Sequence, residues 1–365
     1  MSESFQYRFN SPSEADLASD FSALRSDIDA ALGEFLARES ALLREIDPEL
    51  TYVAESLTRY LINGGKRFRP LFAAAGLVGS GGLLDKSSIN AIAALELVHA
   101  CALIHDDVMD GSDTRRGAPA IHKEYEALHI SRKLSGSSTN FGRAAAILLG
   151  DLALVWANKL INESGISSQS QKRLAPLFDL MRVELMAGQY LDVLEQTLKS
   201  ESVDRALKVA TFKSGKYSVE RPIHFGSLLG SGANLESYSA YGIPLGQAFQ
   251  LRDDLLGVFG DSAETGKPSG DDLREGKRTA LIALAVEKMN DQQRFNDLFG
   301  KADISPSEIS ELQTMIQSTG APTQIESLIA EFSSKALTAL NNDAITQEGK
   351  NMLKFLAALA TQRSK

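Results

Sequence analysis

The sequence predicts an all-α protein built as a single large helical bundle. Apolar residues recur at helical spacing along most of the 365 residues, whereas alternating β-branched runs joined by tight hairpin turns are scarce. Residues 89–104 and 143–160 are apolar on nearly every side, which predicts two central helices with others packed around them. Because no low-complexity linker divides the chain, we expect one domain over residues 1–365, with a short polar extension at about residues 1–11.

Capping signals and breaks in periodicity predict the individual helices. Residues 11–14, Ser-Pro-Ser-Glu, are typical of a capping box with proline at the first helical position, and predict a helix that runs to about residue 43. The same four residue types at 305–308 predict another helix start. Residues 134–142, rich in Ser, Thr and Gly, predict a loop. Further helices are expected over residues 48–62, 70–78, 89–104, 143–162, 169–197, 202–214, 216–229, 235–259 and 274–289, with three more before the C-terminus.

Composition narrows the class of protein. A formal net charge of -9 argues against general nucleic-acid binding, which needs a basic face. The single cysteine, Cys101, excludes an internal disulfide and fits a reducing cytosol. The first residues lack the basic start and apolar core of a secretion signal, and the apolar stretch 144–157 is interrupted by Asp151 and too short to span a bilayer. We therefore expect a cytoplasmic protein without a transmembrane segment.

A cluster of carboxylates ends the apolar run 89–104. Asp106 and Asp110 are spaced i and i+4, so they share one face of a helix, with Asp107 beside them. Like charges so close repel each other, and acidic side chains at a helix C-terminus also oppose the macrodipole. This arrangement predicts a bound cation, because a solvated helix end would have no use for such a cluster.

A second acidic pair, Asp253 and Asp254, again follows an apolar run. If the two clusters face each other across a helical bundle, they form an all-oxygen site that suits Mg²⁺ or Mn²⁺ and not zinc. Magnesium held by few carboxylates usually takes its remaining ligands from water and phosphates. The two clusters together therefore predict a phosphorylated substrate.

Basic residues recur beside these acidic pairs and beside glycine turns. Any one group alone would be typical of solvated surface, but their shared placement predicts diphosphate binding. The groups are Lys66, Arg67 and Arg69 after a Gly-Gly turn, Arg115 and Arg116, Lys213 and Lys216, and Lys267 with Lys277.

The motifs GGKRFRP, LIHDDVMD with RRG, and FQLRDD with GDDLREGK stand in one order over about residues 61–277. In this they resemble the trans-isoprenyl diphosphate synthases, also called polyprenyl synthetases, and most of all a bacterial geranylgeranyl diphosphate synthase. The resemblance implies the isoprenoid synthase type I fold, an all-α bundle around a deep central apolar cavity, usually a homodimer. It also implies magnesium-dependent condensation of isopentenyl diphosphate with an allylic diphosphate, namely dimethylallyl, geranyl or farnesyl diphosphate.

The resemblance assigns roles residue by residue. It implies that the residues for metal binding and catalysis are Asp106, Asp107, Asp110, Asp253 and Asp254. These would bind three Mg²⁺ ions when substrate is bound, and Mn²⁺ could replace Mg²⁺. It implies that isopentenyl diphosphate is bound by Lys66, Arg69, His99 and Arg116, with Arg67 flanking them. It implies that the allylic diphosphate is bound by Arg115, the catalytic Lys213, Gln250 and Lys267, with a weaker assignment for Lys277. Gln189 and Asp192 resemble a polar pair beside the allylic site, although a buried hydrogen bond within the helices explains them equally well.

Two positions depart from the family pattern. Gly257 stands where the second aspartate motif usually has a third carboxylate. Either Asp261, two helical turns after Asp253, substitutes for it directly or through water, or Asp253 and Asp254 suffice. Ser214 replaces a common threonine and keeps its hydroxyl group.

Small residues before the first aspartate motif bear on product length. Family members that stop at fifteen carbons often carry an aromatic side chain at the positions of Cys101 and Ala102. Because both are small here, we expect a deeper apolar tunnel, with Val98 and Leu97 as a lower stop. Geranylgeranyl diphosphate is then the expected main product, and longer polyprenyl chains are the alternative. Small residues also allow close helix packing, and that explanation stays open.

Two other functions share parts of this pattern. A class I terpene cyclase has the same fold and first motif, but has no use for Lys66 and Arg69. A non-catalytic subunit of a heteromeric synthase is expected to show decay of an aspartate motif, and only Gly257 hints at that.

Overall fold

The computed structural model describes residue 9 and residues 13–198, 202–232, 235–260, 269–301 and 303–362, and these confirm an all-α protein. The predicted N-terminal extension, about residues 1–11, lies outside these ranges apart from Phe9. The helices are α1 (Glu14–Ile46), α2 (Thr51–Ile62), α3 (Phe68–Gly79), α4 (Lys86–Asp110), α5 (Ile121–Ser131), α6 (Ser138–Glu163), α7 (Ser168–Leu198), α8 (Val203–Val209), α9 (Arg221–Leu229), α10 (Leu235–Phe259), α11 (Asp271–Glu275), α12 (Ala280–Glu287), α13 (Gln292–Leu298), α14 (Pro306–Ser318), α15 (Ala321–Ala339) and α16 (Gln347–Thr361).

Three short elements interrupt this pattern. A 3₁₀ turn, Pro48–Leu50, leads into α2. Strands β1 (Thr114–Arg115) and β2 (Ala118–Pro119) pair antiparallel between α4 and α5. A π-helix, Ala210–Glu220, joins α8 to α9. π-Helical turns often occur at functional sites, and this one contributes side chains to the largest group of predicted site residues.

Several predicted helix boundaries need correction. The predicted loop at 134–142 is shorter, because the Ser137 side chain accepts a hydrogen bond from the backbone of Asn140 and starts α6 at Ser138. Helix α5 was not predicted. In α1 the N-cap is Ser13, while residues 11 and 12 lie outside the described ranges. The capping box of Ser305 is confirmed, since Glu308 completes it.

Apolar packing divides into two clusters that share α10. The first cluster joins α1 to α7 with α9 and α16, and receives Tyr238 and Tyr241 from α10. The second cluster contains residues of α8 and of helices α11 through α15, and it receives Leu251 and Val258 from α10. Helix α10 therefore links the two clusters, the first through its N-terminal half and the second through its C-terminal half.

Helices α4 and α6 differ in their surroundings. Both are long and apolar enough to cross a bilayer by length and composition, but 72% and 50% of their most apolar stretches are buried inside the protein. Helix α4 is central, as predicted. The prediction that α6 is also central was wrong, because Ile147, Leu148 and Val155 are about half exposed or more. These side chains form one apolar face that no described part of the chain covers.

Candidate active site

Most of the predicted site residues line one cavity of about 460 Å³. The cavity lies between α4, α7, the π-helix, α10 and the segment that leads from α11 to α12. The predicted residues on its wall are Lys66, Arg69, His99, Ala102, Asp106, Arg115, Arg116, Gln189, Lys213, Gln250, Asp253 and Asp254. Lys267 and Asp261 lie outside the described residues.

Three carboxylates converge at one end of the cavity. One oxygen each from Asp106, Asp110 and Asp192 lies within 4.8 Å of the other two. Lys213 Nζ, on the π-helix, donates to Asp106 Oδ1 at 2.9 Å and to Asp192 Oδ2 at 2.6 Å. Gln189 Nε2, on α7, donates to Asp106 Oδ1 at 2.9 Å, a partly buried hydrogen bond that joins the two helices at the site. Asp192, which the sequence placed beside the allylic site, thus lies among the carboxylates of the first aspartate motif.

Asp107 is not one of the three converging carboxylates and pairs instead with Arg115. It follows Asp106 by one residue, so it projects about 100° further round α4. Its Oδ1 accepts a hydrogen bond from Arg115 Nε at 2.9 Å, and its side chain is buried. Arg115 Nη2 also lies 3.5 Å from Asp106 Oδ2, so its guanidinium joins the two neighbouring aspartates.

Lys277 connects the first carboxylates to the far side of the cavity. Its Nζ lies 3.1 Å from Asp110 Oδ2, 2.7 Å from Glu275 Oε2 and 3.5 Å from Asp272 Oδ1. The Asp110 side chain is only 1% exposed, and its Oδ1 accepts no hydrogen bond from the part of the chain that the structure describes. A buried carboxylate oxygen of this kind fits a divalent cation, because such an ion satisfies several carboxylates at once.

Electrostatics separate the two aspartates of α4. Burial alone would raise the pKa of Asp106, but Lys213, Lys277 and Arg115 hold that pKa well below its ordinary value. Burial raises the pKa of Asp110 to about 6, although Lys277 opposes the change. Asp106 is therefore ionised and paired with cations. Asp110 retains a proton more readily, because Lys277 does not fully offset the effect of its burial.

The second acidic pair lies on α10. Gln250 Nε2 donates to Asp254 Oδ1 at 2.7 Å. Burial raises the pKa of Asp254 to about 8, with further contributions from Asp272 and Asp253. Asp272 also lines the cavity, and the sequence analysis did not select it. Its position in the acidic GDDLREGK segment was the signal that could have found it.

A basic face, formed by Lys66, Arg69 and Arg116 with His99, lines the same cavity. Arg69 Nη2 donates to Tyr217 Oη at 2.6 Å and to Ser218 Oγ at 2.7 Å. The Tyr217 hydroxyl lies 3.3 Å from His99 Nδ1. Burial and the charge of Arg69 hold the pKa of His99 well below 6.5, so its ring is neutral. The sequence analysis missed both Tyr217 and Ser218, which follow Lys213 along the π-helix.

Arg67 differs from its basic neighbours. Its Nε donates to Asp29 at 2.7 Å and its Nη1 donates to Glu96 at 2.8 Å, while Nη2 donates to a backbone carbonyl of α2. All three nitrogens are thereby occupied by the protein. Lys66 and Arg116 lie on either side at the cavity wall.

Comparison with known proteins identifies the family to which this site belongs. Residues 51–316 match the sequence profile of the polyprenyl synthetases. The chain belongs to the polyprenyl synthetase family. It therefore has the isoprenoid synthase fold and is a trans-prenyltransferase.

Individual relatives cover nearly the whole chain. A geranylgeranyl pyrophosphate synthase from Corynebacterium glutamicum, complexed with isoprenyl diphosphate and magnesium, is 39% identical, with a TM-score of 0.90 over 93% of this chain and 98% of that one. A geranylfarnesyl diphosphate synthase from Aeropyrum pernix is 32% identical over 83% of this chain and 91% of its own length. A geranylgeranyl diphosphate synthase from Methanosarcina mazei is 32% identical over 84% and 86%.

The three residues predicted to set chain length differ in position. Ala102 borders the cavity, with Leu185 and Phe249 on the same wall. Cys101 and Val98 are fully buried and are not among the residues that line the cavity. The Cys101 Sγ lies 3.7 Å from His105 Nδ1, on a different side of α4. Burial raises the pKa of this thiol to about 12, so it stays protonated and is no nucleophile despite the nearby histidine.

Proposed function

We propose that this prenyltransferase condenses isopentenyl diphosphate with dimethylallyl, geranyl and farnesyl diphosphates, and that its main product is geranylgeranyl diphosphate. The observation that carries the proposal is that carboxylates of both aspartate motifs and the residues of the basic face line one cavity. The small side chain of Ala102 on the wall supports a product longer than fifteen carbons. The geranylfarnesyl diphosphate synthase among the relatives supports a longer chain as the second candidate.

Charge complementarity supports the roles of the acidic and basic residues. Asp106, Asp107, Asp110, Asp253 and Asp254 would hold Mg²⁺, three ions with substrate bound, or Mn²⁺ in their place. When bound, the metal supplies positive charge that neutralises the departing diphosphate. Lys213 and Arg115, together with Gln250 and Lys267, bind the allylic diphosphate and stabilise the negative charge that develops as it departs.

The basic face positions the second substrate. Lys66, Arg69, His99 and Arg116 hold the diphosphate of isopentenyl diphosphate, and Gln189 keeps Asp106 oriented towards the allylic side. The allylic carbon–oxygen bond breaks, its electron pair leaves with the diphosphate, and a carbocation forms. The double bond of isopentenyl diphosphate then attacks, and the departed diphosphate takes up the proton that is lost. Apolar walls exclude water, which would otherwise capture the cation.

The exposed apolar residues of α6 and α7 support a homodimer. These large apolar residues are between 40% and 68% exposed, and large exposed apolar patches on monomers mark interaction sites. They are Ile147, Leu148 and Val155 on α6, with Leu180, Val183, Met186 and Tyr190 on α7. We propose that a second copy of the chain covers this face, and that the dimer works in the cytoplasm.

Chromatography of the products tests activity and chain length together. The protein is incubated with Mg²⁺, labelled isopentenyl diphosphate and each of the three allylic partners in turn. Geranylgeranyl diphosphate should dominate, and a dominant longer product would favour the second candidate. Hydrocarbon formed from geranylgeranyl diphosphate alone would indicate a cyclase, while absence of all condensation would indicate a non-catalytic subunit.

A further inference from the structure

Position 257 lacks a side chain at a crowded point of the site. Gly257 follows Asp253 by one helical turn on α10, so a side chain there would project beside Asp253 into the cavity. An ideal Cβ at Gly257 would lie 1.9 Å from Asp272 Oδ2 and 2.5 Å from Asp272 Cγ. The Asp272 carboxylate therefore occupies the volume that a side chain at position 257 would fill.

The short helix α11 brings Asp272 to this position. Gly270 and Gly276, both with positive φ, flank the helix and turn the chain sharply at each end. Leu273 is fully buried in the second apolar cluster, which anchors α11 against α10. Asp271 lies 3.5 Å from Arg274, whereas the three atoms nearest to an ideal Cβ at Gly257 all belong to Asp272.

Asp272 also faces the first carboxylate cluster. Lys277 Nζ lies between them, 3.5 Å from Asp272 Oδ1 and 3.1 Å from Asp110 Oδ2. The nearby Asp110 Oδ1 is buried and accepts no hydrogen bond from any residue that the structure describes. Positive charge is thus held between the two carboxylates, and one of them still has an unsatisfied oxygen for a cation.

We propose that Asp272 supplies the third carboxylate of the second metal-binding motif, in place of a side chain at position 257. This inference rests on the proposed function, because it assumes that the acidic groups bind divalent cations. It replaces the earlier hypothesis that Asp261 fills this role. It also explains Gly257 as a steric requirement of Asp272 and not as decay of the motif.

Metal binding provides the first test. The affinity of the full-length protein for Mn²⁺ is measured from the loss of the free-ion electron paramagnetic resonance signal, with the metal alone and again with inorganic pyrophosphate. Asp272→Asn keeps the shape of the side chain but removes its charge, so we expect the dissociation constant for Mn²⁺ to rise about tenfold or more. Asp271→Asn is the charge-matched control in the same helix, and should change that constant far less.

Moving the carboxylate provides the second test. The double variant Gly257→Asp with Asp272→Ala returns a carboxylate to the same volume from α10, and should recover most of the Mn²⁺ affinity that Asp272→Ala loses. Gly257→Asp alone forces two carboxylates into one volume, so it should weaken Mn²⁺ binding and lower the melting temperature.

Two outcomes would overturn the inference. One is an Asp272→Asn protein that binds Mn²⁺ like the wild type, and the other is a double variant that binds no better than Asp272→Ala. Circular dichroism checks that each variant is folded before its affinity is compared. Wild-type protein that binds Mn²⁺ through Asp272 but makes no prenyl diphosphate would contradict the proposed function and leave this inference supported.

Discussion

His99 makes the folded protein sensitive to acid. Burial and Arg69 hold its pKa well below 6.5, so the unfolded chain binds a proton near pH 6.5 that the folded chain does not. The free energy of unfolding should therefore fall as the pH drops through about 6.5, with a slope that approaches about 1.4 kcal/mol per pH unit once the unfolded histidine is fully protonated. Denaturant unfolding of the wild type and His99→Gln, at neutral pH and at about pH 5.5, isolates its share. Equal losses in the two proteins would contradict the prediction.

Ala102 and Cys101 are neighbours with different expected effects on the product. Ala102→Phe places a ring at the cavity wall and should shorten the main product, because the growing chain meets it first. Cys101→Phe enlarges a fully buried side chain outside the cavity, so it should leave product length unchanged and cost about 1–3 kcal/mol of stability. Product chromatography and thermal unfolding of both variants separate the two effects. A shorter product from Cys101→Phe would show that the tunnel wall includes that side of α4.

The π-helix depends on close contact with α7. An ideal Cβ at Gly188 would lie 2.3 Å from the backbone nitrogen of Lys213, so only glycine allows this approach. Further along α7, Glu184 accepts hydrogen bonds at 2.7 Å from Lys216 Nζ and from Arg221 Nε. The close approach at Gly188 and the ion pairs of Glu184 hold the π-helix and the start of α9 against α7. The contact at Gly188 places Lys213 where it reaches Asp106.

Gly188→Ala tests this dependence. The added methyl group should displace Lys213 from Asp106, lower kcat strongly and cost about 1–3 kcal/mol of stability. Steady-state kinetics and thermal unfolding measure the two effects. Gly33→Ala is the matched control, because an ideal Cβ at that helical position on α1 meets nothing within 4 Å. A Gly188→Ala protein with unchanged kcat would mean that Lys213 does not need its present position.

At the scale of the whole molecule, the domain organisation and the exposed apolar face lead to two proposals. Both apolar clusters share α10, so we propose that residues 1–365 form one domain. The exposed face of α6 and α7 is the proposed surface for a second copy of the chain.

A charge placed on that face should separate the subunits. Val183→Arg, at a position that is 64% exposed, would bury a cation in the proposed interface and should give a monomer in sedimentation velocity. Leu83→Arg is the control, since Leu83 is 85% exposed and lies outside α6 and α7, so this variant should keep the wild-type state. A wild-type monomer, or a Val183→Arg dimer, would contradict the proposed interface.

Local pattern was sufficient for much of the fold. Helical spacing predicted the all-α class, and the capping box at Ser305 marked a helix start because its hydrogen bonds lie within one turn. The same periodicity could not distinguish the π-helix from α-helices on either side. It also could not show that α6 has one uncovered face, because hydrophobicity alone does not specify which neighbours a helix has.

The sequence by itself determined the chemistry of this protein, since the aspartate motifs and the basic clusters are short and their residue types are specific. It also determined that Asp106 and Asp110 share a face, because helical spacing is local. Only the tertiary structure decided which distant residues join them. Tyr217 and Ser218 reach Arg69, and Asp272 fills the space beside Gly257, through contacts between segments far apart in the chain. Such contacts depend on how helices pack, and no local spacing encodes them.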